Sequence, residues 1–242
     1  MKSSLSAFGA FSLQEFMRDG EAKVSPVNIV CIGAHPGDPE FGCGGTMARL
    51  AKAGHKVYFF YLTRGEAYDV KQSFTTSAGL RTKEAETSCG ILNATPVFIG
   101  QTDGDTVYNK DWRERTAKML MDVQPAIVFT HWPMDTHPDH QVAGLIGISA
   151  WTMSRKSFEL FFYEVNTGSE TIQFFPTDHV DITMVREQKK SALLAHQTQQ
   201  PQQVYDDFFR TMEEFRGLEA GVKAAEAFIH FGIRSIPAVT LK

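Results

Sequence analysis

The stretch VNIVCIGAHPGDPEFGCGG, at residues 27–45, decides the fold because it joins an apolar strand to a glycine-rich helix start. Its first seven residues form a nearly continuous apolar run that ends in glycine, which is typical of a strand buried on both faces. A histidine and two acids follow at once, and then the glycines of GCGG. These glycines suit a helix that starts close to a sheet. The G-x-G-x-x-G spacing of a dinucleotide site is absent.

The rest of the chain alternates strand patterns with helix patterns. Further apolar runs typical of strands stand at residues 55–63, 96–100, 126–131, 158–165 and 179–183. Apolar residues at helical spacing stand at residues 44–54, 79–93, 111–123, 137–151, 184–197 and 201–217. The alternation predicts an α/β fold with a mostly parallel sheet, helices on both faces and right-handed crossovers. We expect the first four strands in the order 3-2-1-4.

Composition limits the class of protein. The length of 242 residues favours a single α/β domain over residues 1–242, with residues 1–24 as an N-terminal extension. The net charge of −4, with dispersed basic residues, argues against a nucleic-acid-binding surface. No apolar run approaches the roughly 18 residues of a membrane helix. Early charged residues argue against a secretory signal, and three cysteines suit a reducing compartment, so we predict a cytoplasmic protein.

Polar side chains cluster just after the predicted strands. They are His35, Asp38 and Glu40 after the first; Thr63, Arg64 and Glu66 after the second; Asp103 and Asp105 after the third; and His131, Asp135, His137, Asp139 and His140 after the fourth. In open α/β sheets, ligands bind at this edge, where the winding reverses. With the strand order 3-2-1-4, the first and fourth strands are neighbours. The two richest clusters therefore face each other across one crevice.

Three of these residues form a metal-ligand set. His35, Asp38 and His140 supply two imidazoles and a carboxylate, which suits a catalytic zinc with an open position and suits iron(II) equally. His137 and His140 lie three residues apart at a helix start and face the same side, so that one can bind the metal while the other contacts a substrate. A single histidine after a strand is more often only a hydrogen-bonded polar residue. Two clusters at neighbouring strand ends favour the metal site.

Five segments together resemble one family, the PIG-L/LmbE-type zinc-dependent N-deacetylases, which act on substrates that contain N-acetylglucosamine. AHPGDPEFGCGGTMA is similar to the family's A-H-P-D-D-x-E motif, and THWPMDTHPDH is similar to its H-P-D-H motif. LTRGEA resembles its T-x-G-E segment, and LRTKEAETSCGILN resembles the helix that follows. KKSALLAHQTQ is similar to its C-terminal region. The segments occur in the family's order over about residues 27–200.

The resemblance implies a Rossmann-like fold and a role for each matching residue. It implies that His35, Asp38 and His140 hold the metal. It implies that His137 stabilises the oxyanion or protonates the leaving amine and that Asp139 orients the His137 imidazole. It also places three residues near the substrate, and these are Arg64, Glu66 and Arg81.

One position departs from the family. The first aspartate of the family's motif, its general base, is replaced by Gly37. Losing a positioned base typically costs about 10²–10⁴-fold in rate. We predict Asp135 as the replacement base, with Glu40 as a second candidate. An acid at a helix start, stabilised by the helix dipole, is the competing interpretation of Asp135.

The sequence thus predicts a metal-dependent hydrolase that removes an acetyl or similar acyl group from an N-acylated sugar or glycoconjugate. The alternative is a metal-containing sugar-binding protein with little or no turnover, which the glycine at position 37 favours. A third interpretation is metal-assisted hydrolysis of an ester or of another amide. The oligomeric state stays open, because FELFFYEV and AFIHFGI suit either a core or an interface in a homo-oligomer.

Overall fold

Seven strands form one mixed sheet in the computed structural model, which describes residues 25–67 and 71–232. The strands are β1 (Asn28–Gly33), β2 (Lys56–Tyr61), β3 (Ala94–Phe98), β4 (Pro125–His131), β5 (Glu159–Tyr163), β6 (Asp178–Asp181) and β7 (Ala225–Phe231). Their order is β3-β2-β1-β4-β5-β7-β6. The first five strands run parallel, and β7 runs antiparallel to both of its neighbours. The predicted α/β class and the order 3-2-1-4 are confirmed.

Helices cover both faces of this sheet. They are α1 (Asp38–Lys52), α2 (Phe74–Leu92), α3 (Lys110–Val123), α4 (Pro138–Met153), α5 (Arg186–Leu194), α6 (Pro201–Val204) and α7 (Arg210–Ala220). A π-helical turn, Tyr205–Phe209, joins the last two. One core lies between the sheet and α1, α2 and α5, where Met47, Leu92 and Leu193 are fully buried. The other lies under α3 and α4, where Leu120 and Ile146 are fully buried. No described helix combines the length and apolarity needed to cross a bilayer.

Several elements differ from the sequence prediction. Helix α1 begins at Asp38, six residues before the predicted start, because a proline stands in its first turn and the helix continues through a kink at Cys43. Helix α2 begins at Phe74, where Ser73 accepts a hydrogen bond from the Thr76 backbone N–H and caps the helix. The segment AFIHFGI contributes to β7, which inserts between β5 and β6. The expectation for residues 1–24 lies outside the described residues.

The glycines of GCGG let α1 lie against the sheet, as the sequence predicts. A Cβ atom on Gly42 would lie 2.2 Å from the Tyr163 ring on β5. Two backbone N–H groups just after the kink, those of Gly45 and Thr46, donate to the Glu226 carboxylate on β7 at 2.8 and 2.7 Å. The first half of α1 is therefore held close to β5 and β7.

Candidate metal centre

The loops after β1, β3, β4 and β5 meet at one cleft of about 460 Å³ at the carboxyl edge of the sheet. Its wall includes the residues His35, Asp38, Asp103, His137, His140 and Glu170. The cleft lies where β1 and β4 are neighbours, which is the switch point of the winding. The two sequence clusters thus do face each other.

Two of the predicted ligands, His35 and His140, converge on the carboxylate of the third, Asp38. Its Oδ2 atom lies 3.2 Å from His35 Nδ1 and 3.5 Å from His140 Nε2. The same oxygen accepts the His35 backbone N–H at 2.8 Å, which fixes the carboxylate at the start of α1. A third imidazole, that of His131, brings its Nε2 within 3.2 Å of this oxygen. His131 was not among the predicted ligands, although its place at the end of β4 is a sequence signal for it.

The pKa values in this cluster depend on the charges around Asp38. Burial raises the pKa of Asp38, but the imidazoles of His140 and His35 outweigh burial and hold that pKa well below its usual range. Burial lowers the pKa of His35, and its acidic neighbours, Asp38 first, reverse this and raise the pKa well above the usual value. Burial, with His140 adding to it, lowers the pKa of His131 to about 4 and keeps that ring neutral.

These donors fit a divalent cation. Asp38, His131 and His140 each offer one ligand atom, and the three atoms lie within 4.8 Å of one another; so do those of His35, His137 and His140. A carboxylate with imidazoles, which bind a metal in their neutral form, is a donor set that suits zinc or iron(II). The Asp38 carboxylate is already stabilised by positive charge nearby, and a divalent ion supplies such charge in a more concentrated form.

Asp135 lies behind His140 and outside the cleft. Its Oδ1 is 3.2 Å from His140 Nδ1 and accepts the His137 backbone N–H at 2.8 Å, and its Oδ2 accepts the Thr171 hydroxyl at 2.9 Å. Its side chain has 0% exposed area. Both oxygens are engaged in these contacts and Asp135 does not line the cleft, so the geometry favours a positioning role over the predicted role as base. The carboxylate instead directs His140 Nε2 towards Asp38.

His137 caps α4 and points its free edge at the cleft. Its Nδ1 accepts the Asp139 backbone N–H at 3.2 Å, so the proton of the neutral ring sits on Nε2. The ring stacks on His140 with centroids 4.5 Å apart. Burial and the charges of His140 and His35 lower the pKa of His137.

The Asp139 carboxylate faces His35, which differs from the implied role. It accepts the Gly104 N–H at 2.8 Å and the Thr106 hydroxyl at 2.6 Å, and its Oδ2 lies 3.1 Å from His35 Nε2. Asp139 orients the His137 imidazole through its backbone N–H, and its side chain positions the first metal-ligand candidate.

Asp103 completes the surroundings of His35. One of its oxygens lies 3.0 Å from His35 Nε2, and the other accepts the Ala67 N–H at 2.9 Å. Burial raises the pKa of Asp103, but the hydrogen bond from His35 outweighs it, and the pKa lies below its ordinary value. The sequence placed Asp103 after the third strand without assigning it a role.

Of the three predicted substrate-binding residues, Arg81 lines the cleft. Its guanidinium donates to the carbonyl oxygens of Pro36 and Gly65 at 2.7 and 3.2 Å and so bridges two of the loops. Arg64 is exposed, and its guanidinium lies over the Phe98 ring, 4.2 Å from the centroid.

Glu66 connects two loops instead of facing the cleft wall. Its carboxylate accepts the backbone N–H groups of Arg64 and Asp103 at 2.9 and 3.2 Å. Neither Arg64 nor Glu66 lines the cleft in the described part of the chain, and their predicted roles in substrate binding stay predictions.

The carboxylate of the second candidate base, Glu40, is also engaged in hydrogen bonds. It is fully buried and accepts the Tyr61 hydroxyl at 2.9 Å and the Gly37 N–H at 3.1 Å. His196 Nε2 lies 2.9 Å from the same carboxylate. His196 belongs to the segment KKSALLAHQTQ, so this contact joins the C-terminal segment to the first motif.

Comparisons with known proteins identify relatives of this arrangement. The family described as PIG-L, GlcNAc-PI de-N-acetylase, matches residues 30–151. The diacetylchitobiose deacetylase of Thermococcus kodakarensis is 29% identical over 230 residues, which cover 88% of this chain and 84% of that protein. The structure of N,N'-diacetylchitobiose deacetylase from Pyrococcus horikoshii superposes with a TM-score of 0.76 at 27% identity, over 86% of this chain and 84% of that chain. A conserved protein of Thermus thermophilus gives a TM-score of 0.74 at 28% identity, over 89% of this chain and 100% of that chain.

Proposed function

This chain belongs to the PIG-L family, and from that premise we propose that it is a metal-dependent N-deacetylase acting on N-acetylated sugars. The observation that supports the proposal best is the convergence of His35 and His140 on the Asp38 carboxylate in one cleft. Two similar proteins, from Thermococcus kodakarensis and Pyrococcus horikoshii, are diacetylchitobiose deacetylases. A sugar or glycoconjugate with an N-acetyl group is therefore the substrate class that we assign. A cytoplasmic location remains a prediction.

We assign the metal to His35, Asp38 and His140, with the His131 imidazole next to them. Zn²⁺ is our first choice of ion and Fe²⁺ the second, since the donor set suits both. When bound, such an ion supplies Lewis acidity, which polarises the acyl carbonyl and lowers the pKa of water. Asp135 holds His140 in the tautomer that presents Nε2 to this position.

His137 provides the hydrogen-bond donor for the reacting carbonyl. Because its Nδ1 accepts the Asp139 N–H, its Nε2–H is the proton available to the cleft. A donor that is already oriented stabilises the negative charge that develops on the acyl oxygen as the carbonyl carbon becomes tetrahedral. The lowered pKa of His137 keeps the ring neutral near pH 7, so that the ring acts there as a donor without a full charge.

The test is acetate release from a panel of N-acetylated sugars. The purified chain is first stripped with a chelator and then reloaded with Zn²⁺ or Fe²⁺, with metal content measured before each assay. We expect acetate and a free amine in equal amounts from N,N'-diacetylchitobiose or N-acetylglucosamine only after reloading. Glucosamine, which has no acetyl group, is the matched control. Sugar binding by the reloaded chain without acetate release would refute the proposed activity in favour of the binding-protein alternative.

A further inference from the structure

The acid that the family's first motif provides at position 37 is replaced by glycine, and the backbone there does not readily accept another residue. Gly37 has a φ of 107°, a conformation that side chains with a Cβ rarely adopt. A Cβ built on it would also lie 3.3 Å from the Phe41 ring. The carboxylate that takes a proton from the attacking water must therefore come from elsewhere in the cleft.

Three described carboxylates line the cleft, and two of them are engaged by His35. Asp38 Oδ2 lies 3.2 Å from one nitrogen of His35, and Asp103 Oδ1 lies 3.0 Å from the other. The third is Glu170, which is half-buried. Its Oε2 accepts the Asn166 side-chain N–H at 3.1 Å, and this neutral donor orients the carboxylate without forming an ion pair.

The segment that carries Glu170 is fixed next to His137. The Glu170 carbonyl oxygen accepts the Thr136 N–H at 3.0 Å, one residue before His137. The next residue, Thr171, forms a bridge with Asp135, and its hydroxyl donates to the Asp135 carboxylate at 2.9 Å. The segment that carries Glu170 is thus hydrogen-bonded to the segment that carries the oxyanion donor, His137.

We propose that Glu170 is the general base of this enzyme, in place of the carboxylate missing at position 37; the proposal rests on the deacetylase function above. As the water oxygen bonds to the acyl carbon, one water proton passes to the Glu170 carboxylate. When the C–N bond breaks, the amine nitrogen takes that proton, and acetate and a free amine leave. Burial raises the pKa of Glu170, partly offset by His140, which brings the group closer to the operating pH that suits proton exchange.

The test compares Glu170→Gln and Glu170→Ala with the wild-type chain, each loaded with Zn²⁺. Gln keeps the shape and the bond to Asn166 but cannot accept a proton. We expect kcat of Glu170→Gln to fall by about 10²–10⁴-fold, while metal content, melting temperature and the calorimetric affinity for N-acetylglucosamine stay as in the wild type. Added formate should restore part of the activity of Glu170→Ala. Glu187→Gln, on the exposed side of α5, is the matched control and should keep full activity.

Other results would contradict either the assignment of Glu170 or the proposed function. A kcat loss smaller than about a hundredfold in Glu170→Gln overturns the assignment, since a lost base costs at least that much. A large loss accompanied by loss of metal also overturns it, because the role is then structural. If Asp103→Asn loses turnover with its metal retained while Glu170→Gln does not, the base is Asp103. Absence of acetate release from the wild-type chain refutes the proposed function itself.

Discussion

Replacing Asp135 by asparagine tests whether this residue positions a metal ligand or acts as the general base. The carboxylate accepts from His140 Nδ1 at 3.2 Å, from the His137 N–H at 2.8 Å and from the Thr171 hydroxyl at 2.9 Å. Asparagine has the same shape and retains an acceptor for the two histidine contacts. Its amide N–H can donate to the Thr171 hydroxyl oxygen, whose own proton can then go to the Val165 carbonyl 2.7 Å away. The substitution therefore removes a charge and leaves the geometry in place.

The size of the expected loss in zinc affinity follows from the lost charge. A hydrogen bond to a charged group contributes roughly 1.5–3 kcal/mol, and loss of the carboxylate partner of a metal-binding histidine typically weakens metal binding by about 10–100-fold. The two figures agree, because a factor of 10 corresponds to about 1.4 kcal/mol. We expect about tenfold weaker Zn²⁺ binding in Asp135→Asn, where an acceptor remains, and about a hundredfold in Asp135→Ala, where none remains.

The assay is a competition titration of Zn²⁺ against a chelator of known affinity, followed by kcat at saturating metal. At saturation, Asp135→Asn should recover most of the wild-type kcat, since the base is elsewhere. Asp122→Asn is the matched control, because that acid is exposed and pairs with Lys118 four residues before it. Unchanged zinc affinity together with a kcat that stays a hundredfold low would refute the reasoning and restore Asp135 as the base.

Three further outcomes are expected. His137→Ala should lower kcat by about 10²–10³-fold at full metal occupancy, because it removes the oxyanion donor; an unchanged kcat in the acetate assay contradicts that role. Gly37→Asp should lower the free energy of unfolding by about 1–3 kcal/mol in urea titrations, as should Gly37→Ala, because both force a side chain into a positive φ; equal stability with glycine argues against the backbone conformation. Arg216→Met should lower the free energy of unfolding by about 3–5 kcal/mol in the same urea titrations, because it leaves the buried Glu164 carboxylate without the guanidinium that binds both its oxygens at 2.7 and 2.8 Å. The double variant with Glu164→Gln should recover part of the lost stability.

The sequence by itself determined the order of the first four strands and the edge at which the site forms. Apolar runs buried on both faces identify parallel strands, and a parallel sheet brings all their carboxyl ends to one edge. This is why His35, Asp38 and His140 could be grouped before any contact was known. The sequence alone also showed that the family's base is missing, because position 37 is a glycine.

Only the tertiary structure decided which acids line the cleft. Asp135 and Glu170 both stand in irregular loops, where no periodicity tells the direction of a side chain. The Asp139 carboxylate turns towards His35, 104 residues away, and not towards the neighbouring His137. Strand β7 inserts between β5 and β6 through pairings that span 65–71 residues to β5 and 44–50 residues to β6. Local patterns encode which elements form, whereas these orientations depend on packing between distant segments, which acts on a side chain only after the chain has folded.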